Sequence, residues 1–144
     1  MTRPFVLSIR PTFIERILSG HKTVELRRRF PILLTRARVL LYSTSPVQSI
    51  VAFARLDSVV QLPVGQLWKR FGDASAVTRQ EFDTYFDGTN SGCALTLGAV
   101  RRFERPIHLT HLERQFEFCP PQSYCYWKES LLPLATHGRV KAFT

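Results

Sequence analysis

The sequence predicts an α+β fold, a small β-barrel decorated by short helices. Three observations predict it. The apolar segments are mostly short and extended, and proline or glycine breaks them repeatedly. Their order runs β-α-β, then strands, two short helices, more strands and a last helix. A doubly wound sheet would alternate regularly instead. Finally, 144 residues without a Gly/Ser linker, repeat or low-complexity stretch suit one domain spanning residues 1–144.

Phe5 to Ile9 reads as the first strand. Pro11 suits an early helical position, and Phe13, Ile14, Ile17 and Leu18 follow at helical spacing with Glu15 and Arg16 opposite. Gly20 stops that helix. Lys22 to Phe30 is next, an extended segment with Val24, Leu26 and Phe30 on one face. Thr23, Glu25, Arg27 and Arg29 fall on the other. Arg38 to Tyr42 is an apolar strand, Ser43 to Pro46 a turn, and Ser49 to Val60 a long β-rich run. A helix follows from Val64 to Phe71. Thr78 and Glu81 form a capping box for another that ends at Gly88. Cys93 to Leu97 and Val100 to Leu109 read as two strands, with Pro106 at an edge or bulge. Ser123 to Leu134 reads as an aromatic-rich helix, and His137 to Thr144 as a closing strand or frayed tail.

Composition narrows the function. Twenty Lys plus Arg oppose eleven Asp plus Glu, a net charge of +9. Most of these cations are arginine, which pairs phosphate in two-pronged fashion and stacks on bases. Nucleic acid is the expected partner. No apolar run could span a bilayer and no basic amphipathic helix is visible, so no membrane role is expected. The N-terminal residues lack a secretory pattern, and the expected compartment is the cytoplasm. Cys93, Cys119 and Cys125 fit no zinc spacing and read as reduced thiols. His108 and His111 stand three apart with no flanking ligands, so neither a metal nor a cofactor is expected.

The segment Lys22 to Phe30 carries five charges in nine residues, four of them cationic. One reading is a solvated edge strand whose charges prevent edge-to-edge pairing. The other is a cationic groove in which Glu25 organises Arg27 or Lys22, with the Gly20 turn placing Lys22 at its mouth. Arg29 within this segment and Arg10 before it are further candidate contacts. Ser43, Thr44 and Ser45 offer three hydroxyls in a turn, suited to base edges or phosphates. Gln122 and Ser123 offer polar edges. Tyr124, after a rigid Pro-Pro, is the favoured stacking platform among several aromatics that include Tyr85 and Trp68. Arg101, Arg102 and Arg105 form a second basic cluster, either a phosphate track or a solvated strand.

The run from Val6 to Pro31 contains Gly20, Lys22, Glu25 and Arg27 in a Gly-x-Lys-x-x-Glu-x-Arg pattern. It resembles the N-terminal signature of the ASCH family. Tyr42 to Pro46 and Pro120 to Tyr124 also resemble that family, so the likeness spans nearly the whole chain. The resemblance implies a PUA-like β-barrel with a cleft beside the motif strand, and RNA binding. It also implies two enzymatic alternatives: a ribonuclease acting on single-stranded RNA, or an amidohydrolase acting on N4-acetylcytidine. In the latter group a lysine in the glycine turn, a threonine three residues on and a distant glutamate do the work. Lys22 matches the lysine, Glu25 stands at the threonine position, and Asp73 and Glu81 are candidates for the glutamate. If the chain is an enzyme, Lys22 and Glu25 are the catalytic candidates. The expected partner is single-stranded or modified RNA, with single-stranded DNA as an alternative; protein partners are left open, and an acidic one could exploit the same charge.

Overall fold

A computed structural model describes residues 4–32, 36–127 and 140–142. The described elements run β1 (Phe5–Ile9), α1 (Pro11–Leu18), β2 (Val24–Arg27), β3 (Arg38–Ser43), β4 (Ser49–Pro63), α2 (Val64–Ser75), α3 (Arg79–Tyr85), β5 (Ser91–His108), α4 (Leu109–Phe116), β6 (Tyr124–Tyr126) and β7 (Val140–Ala142). The strands form one mixed sheet in the order β2-β5-β4-β3-β1-β6, with β7 added to β5. β1 and β3 are parallel, and the other pairs are antiparallel. The sheet curves into a half-barrel, the α+β arrangement expected from the sequence.

The curvature has a local cause. β4 and β5 pair over almost their whole length, yet their register shifts near Ile50/Ala52, Phe53/Arg55 and Leu56/Ser58. Each irregularity adds twist and bends the ribbon. Pro106 lies in the stretch of β5 between Arg102 and Ile107 where the pairing with β4 slips, as a residue without an amide hydrogen should. The expected two strands Cys93–Leu97 and Val100–Leu109 are therefore one, because bulges absorb the turn-like residues between them.

Three apolar clusters hold the layers together. Phe5, Leu7 and Ile9 of β1 pack with Ile14, Ile17 and Leu18 of α1 and with Leu41, Leu56 and Leu95. On the other face, Val6, Leu40, Tyr42 and Phe103 pack with Leu112 and Trp127. The third cluster seats α2 and α3 on β2 and β5 through Leu67, Phe82 and Phe86 against Val24, Leu26 and Ala94.

Two expected elements differ. Tyr124–Tyr126, read as the start of a helix, is the strand β6, pairing with Phe5–Leu7. The open edge of β1 offers unpaired amides and carbonyls, and satisfying them outweighs helical spacing. The rest of that segment, from Lys128 to Leu134, lies outside the described residues. The chain around Leu109, read as strand, instead turns into α4. There the His108 imidazole accepts from the Thr110 amide at 3.1 Å, and Leu112 is buried.

Candidate nucleic-acid interface

The Lys22 turn is built by backbone bonds. α1 ends at Leu18, Gly20 takes φ +86°, and the Lys22 amide donates to the Arg16 carbonyl at 2.9 Å. The next amide, Thr23, donates to the Ala74 carbonyl of α2 at 2.9 Å. This turn is thus clamped between two helices, and the Lys22 side chain is directed inward. Its Nζ donates to the Ser75 carbonyl at 2.7 Å, approaches Glu25 Oε1 at 3.3 Å and lies 5.0 Å from the Phe13 ring centre.

β2 then brings Glu25 and Arg27 to one face. Arg27 Nη2 donates to Glu25 Oε2 at 2.8 Å and to the Ser8 carbonyl at 2.9 Å, and Nη1 donates to Ser123 Oγ at 3.2 Å. β2 is one end of the sheet and β6, which Ser123 immediately precedes, is the other. The Arg27 fork therefore joins the two ends with side-chain bonds where backbone pairing stops. Ser8 Oγ adds a bond to the Pro121 carbonyl at 2.6 Å.

The burial of this triad decides between the two readings of the strand. Lys22, Glu25 and Arg27 are only 2%, 6% and 8% exposed, so this is not a solvated edge. Glu25 pairs with both Lys22 and Arg27, as the groove reading held, but Lys22 lies on the floor rather than at the mouth. The alternation of Val24/Leu26 against Glu25/Arg27 holds, but α2 and α3 cover the first pair while α1 and the Ser123 segment enclose the second. β2 ends at Arg27, so Arg29 leaves that face and is exposed. Buried charges persist only when paired and hydrogen-bonded. Here one carboxylate serves two cations, the Ser75 and Ser8 carbonyls accept further N–H groups, and the Ser123 hydroxyl accepts another. Arg27 Nε alone has no partner among the described residues.

Burial sets the Lys22 ammonium below its ordinary pKa. Glu25 pulls the other way without overcoming it, and Arg16 and Arg27 add to the lowering. A carboxylate this close would by itself stabilise the ammonium and dominate. Enclosure by Phe13 and the end of α2 is the reason it does not.

Above the triad lies a cleft of about 750 Å³. Of the residues singled out from sequence, Arg10, Lys22, Glu25, Arg27, Thr44, Gln122 and Ser123 line it. Arg29, Ser43, Ser45 and Tyr124 do not. Ser43 is buried with its hydroxyl unpartnered among the described residues, and Ser45 is exposed. Tyr124 packs on Phe5 and Phe30, with ring centres 6.2 and 5.0 Å away, and so joins the core. Of the two glutamate candidates, Glu81 lines the cleft, bound to Arg16 Nη1 at 3.0 Å; Asp73 is exposed and lies outside the lining.

Sequence reasoning missed Arg28, Phe13 and Ser8 and ranked Tyr85 behind Tyr124 as a stacking platform. All four line the cleft. Arg28 Nε donates to the Tyr85 carbonyl at 2.7 Å, and its guanidinium stacks 4.8 Å from the Tyr85 ring centre. The run of three arginines was the available signal. Only the end of β2 reveals which of them turns toward the helices. Among the described residues, no group of three or more His, Cys, Asp or Glu side chains could hold a metal, and no helix is long and apolar enough to cross a membrane.

The curved mixed sheet with the motif strand beneath a cleft is the PUA-like arrangement that the resemblance implied. Residues 5–114 match the family described as a domain of unknown function, DUF365. A protein of Zymomonas mobilis subsp. mobilis named ASCH domain-containing ribonuclease is 40% identical over 125 residues, covering 86% of this chain and 84% of that one. The crystal structure of ASCH from Zymomonas mobilis superposes with a TM-score of 0.87 at 35% identity, covering 99% of each chain. The N-terminal domain of Staphylothermus marinus McrB shares the fold alone, with a TM-score of 0.58 at 11% identity over 96% of each chain. This chain belongs to the ASCH domain family.

Proposed function

We propose that this chain is a single ASCH domain acting in the cytoplasm. It binds single-stranded or modified RNA, with one unpaired nucleotide seated in the cleft above Lys22, Glu25 and Arg27. The convergence of those three side chains on one enclosed floor is the observation that carries this reading. The volume falls within the roughly 300–1,000 Å³ range of small-molecule sites. Arg10, Lys22, Arg27 and Arg28 outnumber Glu25 and Glu81 along the lining, so phosphate is welcome there. Phe13 and the Arg28–Tyr85 stack give flat surfaces for a base, and Thr44, Gln122 and Ser123 give donors and acceptors for its edge. The Zymomonas relative named as a ribonuclease supports RNA over DNA. Fluorescence anisotropy with a labelled RNA pentamer tests the reading, with a DNA pentamer as competitor. Salt-dependent RNA binding that weakens in Arg28→Ala is expected. Binding absent at low salt overturns the reading.

The second reading is a metal-independent ribonuclease at the same floor. The direction of the Lys22 shift favours it, because a lowered pKa makes the neutral amine, the form that can take a proton, easier to reach. In that step the 2′-hydroxyl loses its proton to the Lys22 amine and the 2′-oxygen bonds to phosphorus; the bond to the 5′-oxygen breaks, that oxygen takes a proton from water, and a 2′,3′-cyclic phosphate and a 5′-hydroxyl result. Arg10 and Arg28 would stabilise the anionic phosphorane. Incubation with RNA and with acylated cytidine in chelator separates the readings. Turnover of RNA that Lys22→Met abolishes supports the ribonuclease. Turnover of the cytidine alone supports an amidohydrolase with Glu25 in the threonine position. No turnover of either leaves binding as the activity.

A further inference from the structure

A second basic surface lies on the sheet itself. Across β3, β4 and β5 the register sets Arg38 opposite Arg55, Leu40 opposite Phe53, and Phe53 opposite Arg101. Paired residues share a face, and so do Arg38 and Leu40, two apart on β3. Arg38, Arg55, Phe53 and Arg101 are therefore grouped on the face whose other end α4 covers through Leu112. The three arginines are exposed and Phe53 is half-buried, its ring 6.1 Å from that of Phe103. Arg36, also exposed, adjoins the group, since its amide donates to the Leu56 carbonyl at 2.6 Å. Asp57 binds Arg55. Among the described residues of this group, four cations stand against that one anion, so the group carries net positive charge.

Like charges set directly opposite on neighbouring strands repel. Asp57 relieves Arg55, while Arg38 and Arg101 have no acidic partner among the described ion pairs. Edge strands carry such charges to deter pairing, but β3 and β4 are interior strands of this sheet, so that purpose does not apply. A half-buried aromatic ring at the margin of the α4-covered cluster, bordered by exposed arginines, is instead an arrangement that can receive an unpaired base and its phosphates.

We propose that the β3–β4–β5 face is a second binding surface, which holds the sugar-phosphate backbone of single-stranded RNA with one base against Phe53. The occupant rests on the RNA reading above, but the surface is separate from the cleft: none of Arg38, Phe53, Arg55 or Arg101 lines that cavity. A strand longer than the cleft needs would engage both.

The test compares an RNA pentamer with a 20-mer on wild type and on Arg38→Gln/Arg55→Gln/Arg101→Gln, reading affinity against salt. Each single-strand phosphate contact contributes about 0.7 to the slope of log K against log salt. The triple variant is expected to lower the 20-mer slope by about 2 and to leave the pentamer unchanged. Phe53→Ala is expected to weaken the 20-mer severalfold without changing its slope. A 20-mer slope equal to wild type in the triple variant overturns the second surface. Wild type that binds the 20-mer but not the pentamer sinks the cleft reading and leaves the surface standing, provided the triple variant then loses the 20-mer. Wild type that binds neither removes both.

Discussion

The arginines of β2 and those of β3–β5 are the same residue type on neighbouring parts of one sheet, yet they meet opposite fates. Arg27 is enclosed, and its two terminal nitrogens are committed to Glu25, Ser8 and Ser123. Arg38 and Arg101 stand in solvent. A buried guanidinium must be paired, so its position is fixed and its loss is felt by the fold. A solvated one costs the fold little and remains available to a ligand. The cleft thus has a rigid floor that serves structure and site together, while the outer face carries charge that structure does not require.

The sharpest way to break this contrast is Glu25→Ala. It strands two buried cations, and an equilibrium denaturation curve should show a loss of about 3–5 kcal/mol. A loss below 1 kcal/mol would put Glu25 on the solvated side of the comparison. Arg27→Met should follow, at about 2–3 kcal/mol, as Glu25 keeps one partner and the link between the sheet ends is lost. Arg28→Ala should behave in the reverse manner. Its melting curve should stay near wild type while RNA affinity falls about tenfold, the scale of one ~1.4 kcal/mol contact.

A pH titration sharpens the intermediate case. Glu81 sits at the start of α3, held by the Thr78 amide at 2.8 Å and by Arg16. These bonds, the Thr78 amide first, lower its pKa. The lowered folded-state value means that its contribution is present above the ordinary glutamate range and is lost as pH falls through that range toward the folded value. The side chain is about a third exposed, so solvent screening limits the effect to roughly 0.5 kcal/mol. Wild type should lose that much relative to Glu81→Gln on acidification, measured by thermal melts. The smallest effect belongs to the outer face: Arg101→Gln should change stability by less than about 0.5 kcal/mol.

Much of the fold was legible in local chemistry. Pro11 opening α1, the capping box of Thr78 and Glu81, and the β1 and β3 runs all stand where their side chains dictate. The errors fall where a distant partner decides. β6 exists because β1 has an open edge, and β5 is continuous because bulges absorb its irregular middle. The site shows the same division. The motif Lys22, Glu25 and Arg27 was legible as a unit, but its burial was not, because the covering residues Phe13, Ser75 and Ser123 are remote in sequence. Tyr124 and Tyr85 illustrate the limit for aromatics. Both are half-buried tyrosines near a turn, and only the packing places one on Phe5 and Phe30 and the other at the cleft.

The most direct test of the central claim is photocrosslinking of a short single-stranded RNA carrying a reactive uridine, followed by peptide mapping. A pentamer should attach to peptides bearing Arg10 and Phe13, Arg28, or Tyr85, which surround the cleft. Attachment confined to peptides of α4, with none from the cleft, would contradict the account.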